Sequence, residues 1–224
     1  MDVLPISAVV FVAAHLLISG TPLRGFLVRR IGEGPFRGLF SLIALGTLIW
    51  LIRAYNAATP ELLWVVPALR WAPLALMPFA LMLLVTGVTS PNPSLAGQEG
   101  RLRKEIKVRG VIRITRHPAN MGIALWAMSH LLANGDVGSL WFFGSLLALS
   151  VAGSASQDQR KAREAGPHWE AFARSTSLLP FAAILAGRNT LRAGEIGLWR
   201  PGLGLAIYAI LIFVHPYLFG VAAY

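Results

Sequence analysis

Apolar runs alternate with short polar connections along this chain, and the runs are the length of membrane spans. A helix needs about 20 mostly apolar residues to cross the hydrocarbon at 1.5 Å of rise per residue. Six segments approach that length: Val3–Gly20, Phe36–Tyr55, Trp71–Ser90, Ala119–Asn134, Gly138–Ala155 and Leu203–Ala223. The fourth is short for a full crossing unless it extends back toward Gly110. The pattern predicts an all-α, polytopic integral membrane protein of about six transmembrane helices. A long connection, Ser156–Gly202, joins helices five and six. Within it, Gln157–Glu164 continues the fifth helix as a charged stretch, and Pro167–Ala173 predicts a short amphipathic helix after Gly166. Leu178–Leu185 predicts an apolar, interfacial return toward the membrane. No internal repeat or low-complexity linker divides the chain, so residues 1–224 are expected to form a single domain.

Composition sharpens this picture. The chain is 55% hydrophobic and 13% charged, with a mean hydropathy of +0.61. Soluble domains carry roughly 25% charged residues, so a water-exposed surface around a core is excluded. The first apolar run has no basic segment before it and no small-residue cleavage pattern, and is expected to be a retained span rather than a removed leader. The first, third and fifth connections hold four, seven and seven basic residues, leaving only Arg53 and Arg70 of the 20 elsewhere. The positive-inside rule then makes the odd connections cytoplasmic and puts both termini on the other side. The same placement accounts for the net charge of +10 by an anionic leaflet of the lipid bilayer, with no nucleic acid partner needed. With no cysteine in the chain, disulfides, thiolate metal sites and a cysteine nucleophile are excluded.

Three of the five histidines fall inside apolar runs: His15, His130 and His215. An ionisable group at that depth costs several kcal/mol unless it has a partner, so it marks a functional site by default. The ordinary alternative for each is a neutral imidazole hydrogen-bonded to a neighbouring helix. Three together, without a carboxylate or lysine at the same depth, suit metal or haem iron better than a proton relay. His117 stands at the cytoplasmic mouth of the fourth span and His168 in the fifth connection. His117 and His130 are 13 residues apart, about 20 Å along one helix, so they cannot share a metal. Depth counting favours His130 with His215. Pairing His130 with His15 needs tilted helices or a tilted macrocycle plane.

Two arginines complete the candidates. Arg24 follows the helix-ending Ser19-Gly20-Thr21-Pro22 and could meet a propionate or another anion, or serve only as a positive-inside charge. Arg116-His117-Pro118 opens the fourth span. Pro118 suits a first helical turn, and Arg116 with His117 could meet an anion at its positive N-terminus.

Four motifs, "HLLISGTPLR", "ITRHPANMGIALWAMSHLLANG", "STSLLPFAAILAGR" and "FVHPYLFG", resemble the NnrU family in order and spacing. The resemblance runs from about His15 to Gly220. That family takes its name from bacterial nitrite and nitric-oxide metabolism and includes 15-cis-ζ-carotene isomerases. It implies an integral protein of a bacterial inner membrane. In the isomerase branch it implies haem b held through iron by two histidines, whose positions fall on His15 and His130, with His215 a third candidate. By the anion-binding reading of their positions, Arg24, Arg116 and His117 are the expected further cofactor contacts. In the isomerases a cysteine stands one turn before the second histidine; here that residue is Ala127, so thiolate chemistry at the iron is unavailable. Iron held on both faces has no open position, so one ligand would have to leave on reduction or on nitric-oxide binding. The resemblance therefore implies either redox-gated cis–trans isomerisation of a hydrophobic polyene or a role in nitric-oxide metabolism, with an unknown electron donor. Ala127 favours the second and leaves open whether the chain is an enzyme.

A more distant likeness is to membrane methyltransferases that use S-adenosylmethionine. Arg116, His117, Pro118, Gly166 and Trp169 fit their frame, while Gln157 and Asp158 replace a Glu-Glu pair. A cofactor-free membrane accessory protein is the remaining alternative.

Overall fold

The computed structural model describes residues 3–95, 98 and 107–223. Arg101, Arg103 and Lys104 of the third basic connection lie outside the described residues. All regular structure among the described residues is helical: α1 (Val3–Gly20), α2 (Pro22–Ile31), α3 (Glu33–Ala57), α4 (Ala72–Thr89), α5 (Pro118–Asn134), α6 (Val137–Ala165), α7 (Pro167–Ser175), α8 (Ala182–Leu185) and α9 (Trp199–Phe219). Five helical segments are long and apolar enough to cross a membrane: α1, α3, Pro67–Thr89, α6 and α9. The fourth expected span, α5, has 17 residues, about 25 Å of rise. It does not extend back toward Gly110. Gly110–Arg113 is a separate 3₁₀ turn, and α5 starts at Pro118, whose ring fixes φ for a first turn and disfavours helix in the residue before it.

The long helices form a row of neighbours: α9 beside α4, α4 beside α5, α5 beside α6, α6 beside α1, and α1 beside α3. Glycines allow the closest approaches. A Cβ on Gly122 of α5 would stand 2.6 Å from Ala80 O, and one on Gly87 of α4 would stand 2.4 Å from Ala119 N. Backbone is therefore packed on backbone at two levels of the α4–α5 seam, as small residues permit between membrane helices. The main core joins α1, α3, α5 and α6 through Leu4, Phe11, Leu51, Ala127, Phe142 and Phe143. Large side chains turned outward along the helices, among them Leu42, Phe79, Ile210 and Phe213, suit a lipid environment.

The first connection is more structured than its sequence suggests. Thr21 caps α2 by accepting from Leu23 N, Pro22 follows at the first position, and Arg29 and Arg30 end the helix. At the other end of the bundle, the stretch between α3 and α4 lies along the α5–α6 turn, with Leu63 N and Trp64 N both donating to Gly135 O at 2.8 and 3.1 Å. Asp136 there caps α6 through Ser139 N.

The long connection after α6 docks at the basic end. The helix α7 buries Trp169 and Phe172 against Ile112, which confirms an amphipathic helix after Gly166. Leu178–Leu185 becomes a turn followed by α8. Its backbone is held by Thr115 Oγ1 donating to Leu178 O at 2.6 Å and Phe181 N donating to Ile114 O at 2.8 Å, while Leu179, Phe181 and Leu185 stay exposed. Farther on, Arg113 donates Nε and Nη2 to the two carboxylate oxygens of Glu195 at 2.8 and 3.1 Å. Gly110 N donates to the same carboxylate at 2.9 Å. These donors hold Glu195 down to about 2. A depressed carboxyl stabilises above its unfolded value, near 4.5, and loses that contribution as pH falls through the folded one. The clamp should therefore persist to about pH 3. Glu195→Ala is expected to speed amide exchange at Gly110 several-fold at neutral pH; unchanged exchange would show that the clamp does not hold the loop.

Candidate functional site

The six residues singled out in the sequence separate into three places. Arg116 and His117 come together; Arg24 stands at another point of the basic end; His15, His130 and His215 lie within the helical row.

At the mouth of α5, Asp158 receives Arg116 Nε on Oδ2 at 2.7 Å and His117 Nε2 on Oδ1 at 2.6 Å. Arg116 Nη1 also donates to Ala173 O at 3.0 Å and to Thr176 Oγ1 at 3.3 Å, so one guanidinium ties α5, α6 and the end of α7 together. The anion met by Arg116 and His117 is thus a carboxylate of the chain itself. His117 is 1% exposed. Burial pushes its pKa below the ordinary value, against the raising effect of Asp158. With Asp158 ionised, the neutral ring donates from Nε2 and keeps its lone pair on Nδ1.

Lys161, one of the seven basic residues of the fifth connection, is 1% exposed. Its ammonium donates to Pro93 O and lies over the Trp169 ring at 5.7 Å. Its position one turn beyond Asp158 on a continuous α6, opposite an aromatic of α7, is the only signal that could have shown this. Arg24 likewise finds acidic partners, Glu33 at 2.7 Å and Glu164 at 3.8 Å. It helps line an open cavity of about 590 Å³ with Arg160 and Arg163.

The three deep histidines share one local arrangement. His15 Nδ1 lies 2.7 Å from Phe11 O, and His130 Nδ1 lies 3.0 Å from Trp126 O, each the carbonyl four residues earlier. His215 Nδ1 lies 2.7 Å from Val221 O. Only an N–H can pair with a carbonyl, so Nδ1 carries the proton and Nε2 keeps its lone pair. That is how a metal-ligating imidazole is oriented by its surroundings. Aromatic rings fix the planes: His15 against Phe11 and Phe40 at 4.6 and 5.6 Å, His130 stacked on Phe143 at 5.2 Å and edge-on to Trp126 at 5.8 Å.

The helical row places His15 on α1 and His130 on α5, with α6 between. Phe11 and Phe143, which touch the two imidazoles, belong to the same core. His215 stands on the little-buried α9, which packs against α4. Trp126 packs on His130 and Phe143. Ala127 is fully buried in the core.

Comparison with known proteins agrees with the motifs. Over 114 residues the chain is 33% identical to the chloroplastic 15-cis-zeta-carotene isomerase of Arabidopsis thaliana, covering 50% of this chain and 31% of that protein. Over 82 residues it is 34% identical to the isomerase of the same name from Zea mays, covering 37% of this chain and 22% of the relative. The matched stretches thus span less than a third of these relatives. No solved structure matches the chain. The profile of the NnrU protein family, however, matches residues 3–223, nearly end to end, and the chain belongs to that family.

Proposed function

We propose that this membrane protein binds haem b through His15 and His130 and acts as a cis–trans isomerase of a hydrophobic polyene. The observation that carries the reading is the shared state of these imidazoles. Each spends Nδ1–H on a carbonyl four residues back and keeps an Nε2 lone pair, and each is held by an aromatic of one common core. This donor set suits haem iron. The similarity to two 15-cis-zeta-carotene isomerases supports a polyene as the substrate class. Bound haem would supply a redox-switchable iron able to polarise a double bond. The chain's own part is to orient the imidazoles and exclude water, with the basic end facing the cytoplasm. The core around Ala127 gives no thiol to the site, so the reaction has to proceed on imidazole ligands alone.

An absorption spectrum tests this. Protein purified in detergent after expression with a haem precursor should show a Soret band, and dithionite should sharpen the α and β bands. His15→Ala and His130→Ala should each reduce haem content at least tenfold, while His215→Ala should keep it. A colourless wild type would sink the proposal. Loss of the band in His215→Ala with retention in His15→Ala would move the second ligand to α9. A nitric-oxide role is the second reading, supported by the family's name alone; a ferrous spectrum unchanged by nitric oxide would remove it.

A further inference from the structure

Beneath the Arg116–Asp158–His117 cluster lies a second cavity, of about 200 Å³, between the end of α4, the start of α5 and the extension of α6. Its lining includes Asn92, Ser94, His117, Asn120 and Gln157. Ser94 is 9% exposed, and its hydroxyl is buried without a hydrogen-bond partner. Buried hydroxyls are almost always paired, so this one asks for a ligand. The backbone is set to hold it there: Ser94 N donates to Asn92 Oδ1 at 2.8 Å, and Asn92 N donates to Gln98 Oε1 at 2.9 Å.

The chemistry of the lining selects the ligand. Among the described lining residues there is no carboxylate, and Asp158, close by, has one oxygen engaged by Arg116 and the other by His117. Arg116 and Lys161 bring two positive charges to this region against the one negative charge of Asp158, and the first turn of α5, after Pro118, adds the positive end of a helix. The lining offers donors in the Ser94 hydroxyl, the Gln157 and Asn92 amides and the helix terminus, and an acceptor in Asn120 Oδ1, whose amide nitrogen donates to Ser154. His117 offers an acceptor, since its Nε2–H goes to Asp158. Donors beside a few acceptors fit an oxyanion that keeps an O–H.

We infer that this cavity binds a phosphate group, free or at the head of an amphiphile, with Ser94, Gln157 and the N-terminus of α5 as donors and His117 as acceptor. The site is distinct from the deep histidines and does not rest on haem binding.

Titration calorimetry on the detergent-solubilised protein, first with inorganic phosphate and then with a short-chain phosphatidic acid, tests the inference. One saturable site is expected. Ser94→Ala and Gln157→Leu should each weaken it roughly tenfold or more, since each removes a hydrogen bond to a charged group. Ser94→Ala should melt no lower than wild type, because the hydroxyl it deletes is unpaired; that separates a lost ligand from a damaged fold. Binding of inorganic phosphate identifies a free anion as sufficient. Binding of the lipid alone, lost in Ser94→Ala, identifies a headgroup. If neither probe binds, or if both variants bind like wild type, the inference is overturned.

Discussion

Asp158→Asn is expected to lower the unfolding free energy by roughly 3 kcal/mol, because its single amide oxygen can accept from only one of the guanidinium and imidazole that share the carboxylate, and Arg116 loses its counter-charge. Both contacts are short, 2.7 Å to Arg116 and 2.6 Å to His117. Asp158 itself is about one-fifth exposed, which keeps the cost at the low end for a broken buried pair. The loss should spread beyond the pair, since Arg116 also holds the end of α7 through Ala173 O and Thr176. Thermal unfolding in detergent checks the cost, and a cycle with His117→Ala isolates the imidazole's share.

The same variant has a pH signature. His117 has a folded pKa below its ordinary value of 6.5, chiefly from burial. For such a base the unfolded chain binds more protons, so stability is complete above about pH 6.5 and falls as pH drops through the depressed value. Asp158 opposes the depression through its hydrogen bond and its charge. Without that charge the pKa should sink further, and Asp158→Asn should lose stability more steeply than wild type between pH 7 and 5. Equal melting and equal acid sensitivity would show that Asp158 does not organise this end of the bundle.

Sequence reasoning reached the helices because lipid imposes a simple rule of about 20 apolar residues per span, and glycine and proline punctuate it. It also reached His117 and Arg116, since a basic pair before a first-turn proline marks a helix mouth. It placed α2 inside a connection, because its mixed Leu, Phe and Arg pattern follows a Thr-Pro cap rather than a long apolar run. The burial of Lys161 was not legible, since only the crossing of α7 over α6 places that ammonium beneath Trp169. Ser94 drew no notice: a serine after Pro93 looks like an ordinary turn residue, and its missing partner exists only in three dimensions. The deep histidines were legible as positions, but their proton placement was not. Which nitrogen keeps a lone pair depends on carbonyls four residues away for His15 and His130, and on a chain end folding back for His215.

Gly122→Leu is the variant expected to disturb both halves of the molecule at once. A Cβ at that position would lie 2.6 Å from Ala80 O, 2.8 Å from Leu84 N and 3.1 Å from Leu84 Cα. All three are backbone atoms of α4, so no side chain can swing aside and the helices themselves must part. Overpacking usually costs 1–3 kcal/mol; a rigid partner and three added carbons beyond Cβ put this substitution at about 3 kcal/mol or more. Gly144→Ala on α6, where an added Cβ meets nothing within 4 Å, should be neutral or raise stability by up to about 1 kcal/mol through helix propensity. The comparison separates close packing from a general aversion to larger residues in the span. The functional consequence follows from the position of Gly122 on α5 between His117 and His130. Parting α4 from α5 shifts the wall of the Ser94 cavity at one end and the His130 imidazole at the other. Gly122→Leu should therefore weaken the proposed phosphate and haem binding together, whereas Ser94→Ala should change only the first and His130→Ala only the second. If Gly122→Leu melted like wild type and kept both ligands, the seam between α4 and α5 would not be the element that positions the two sites.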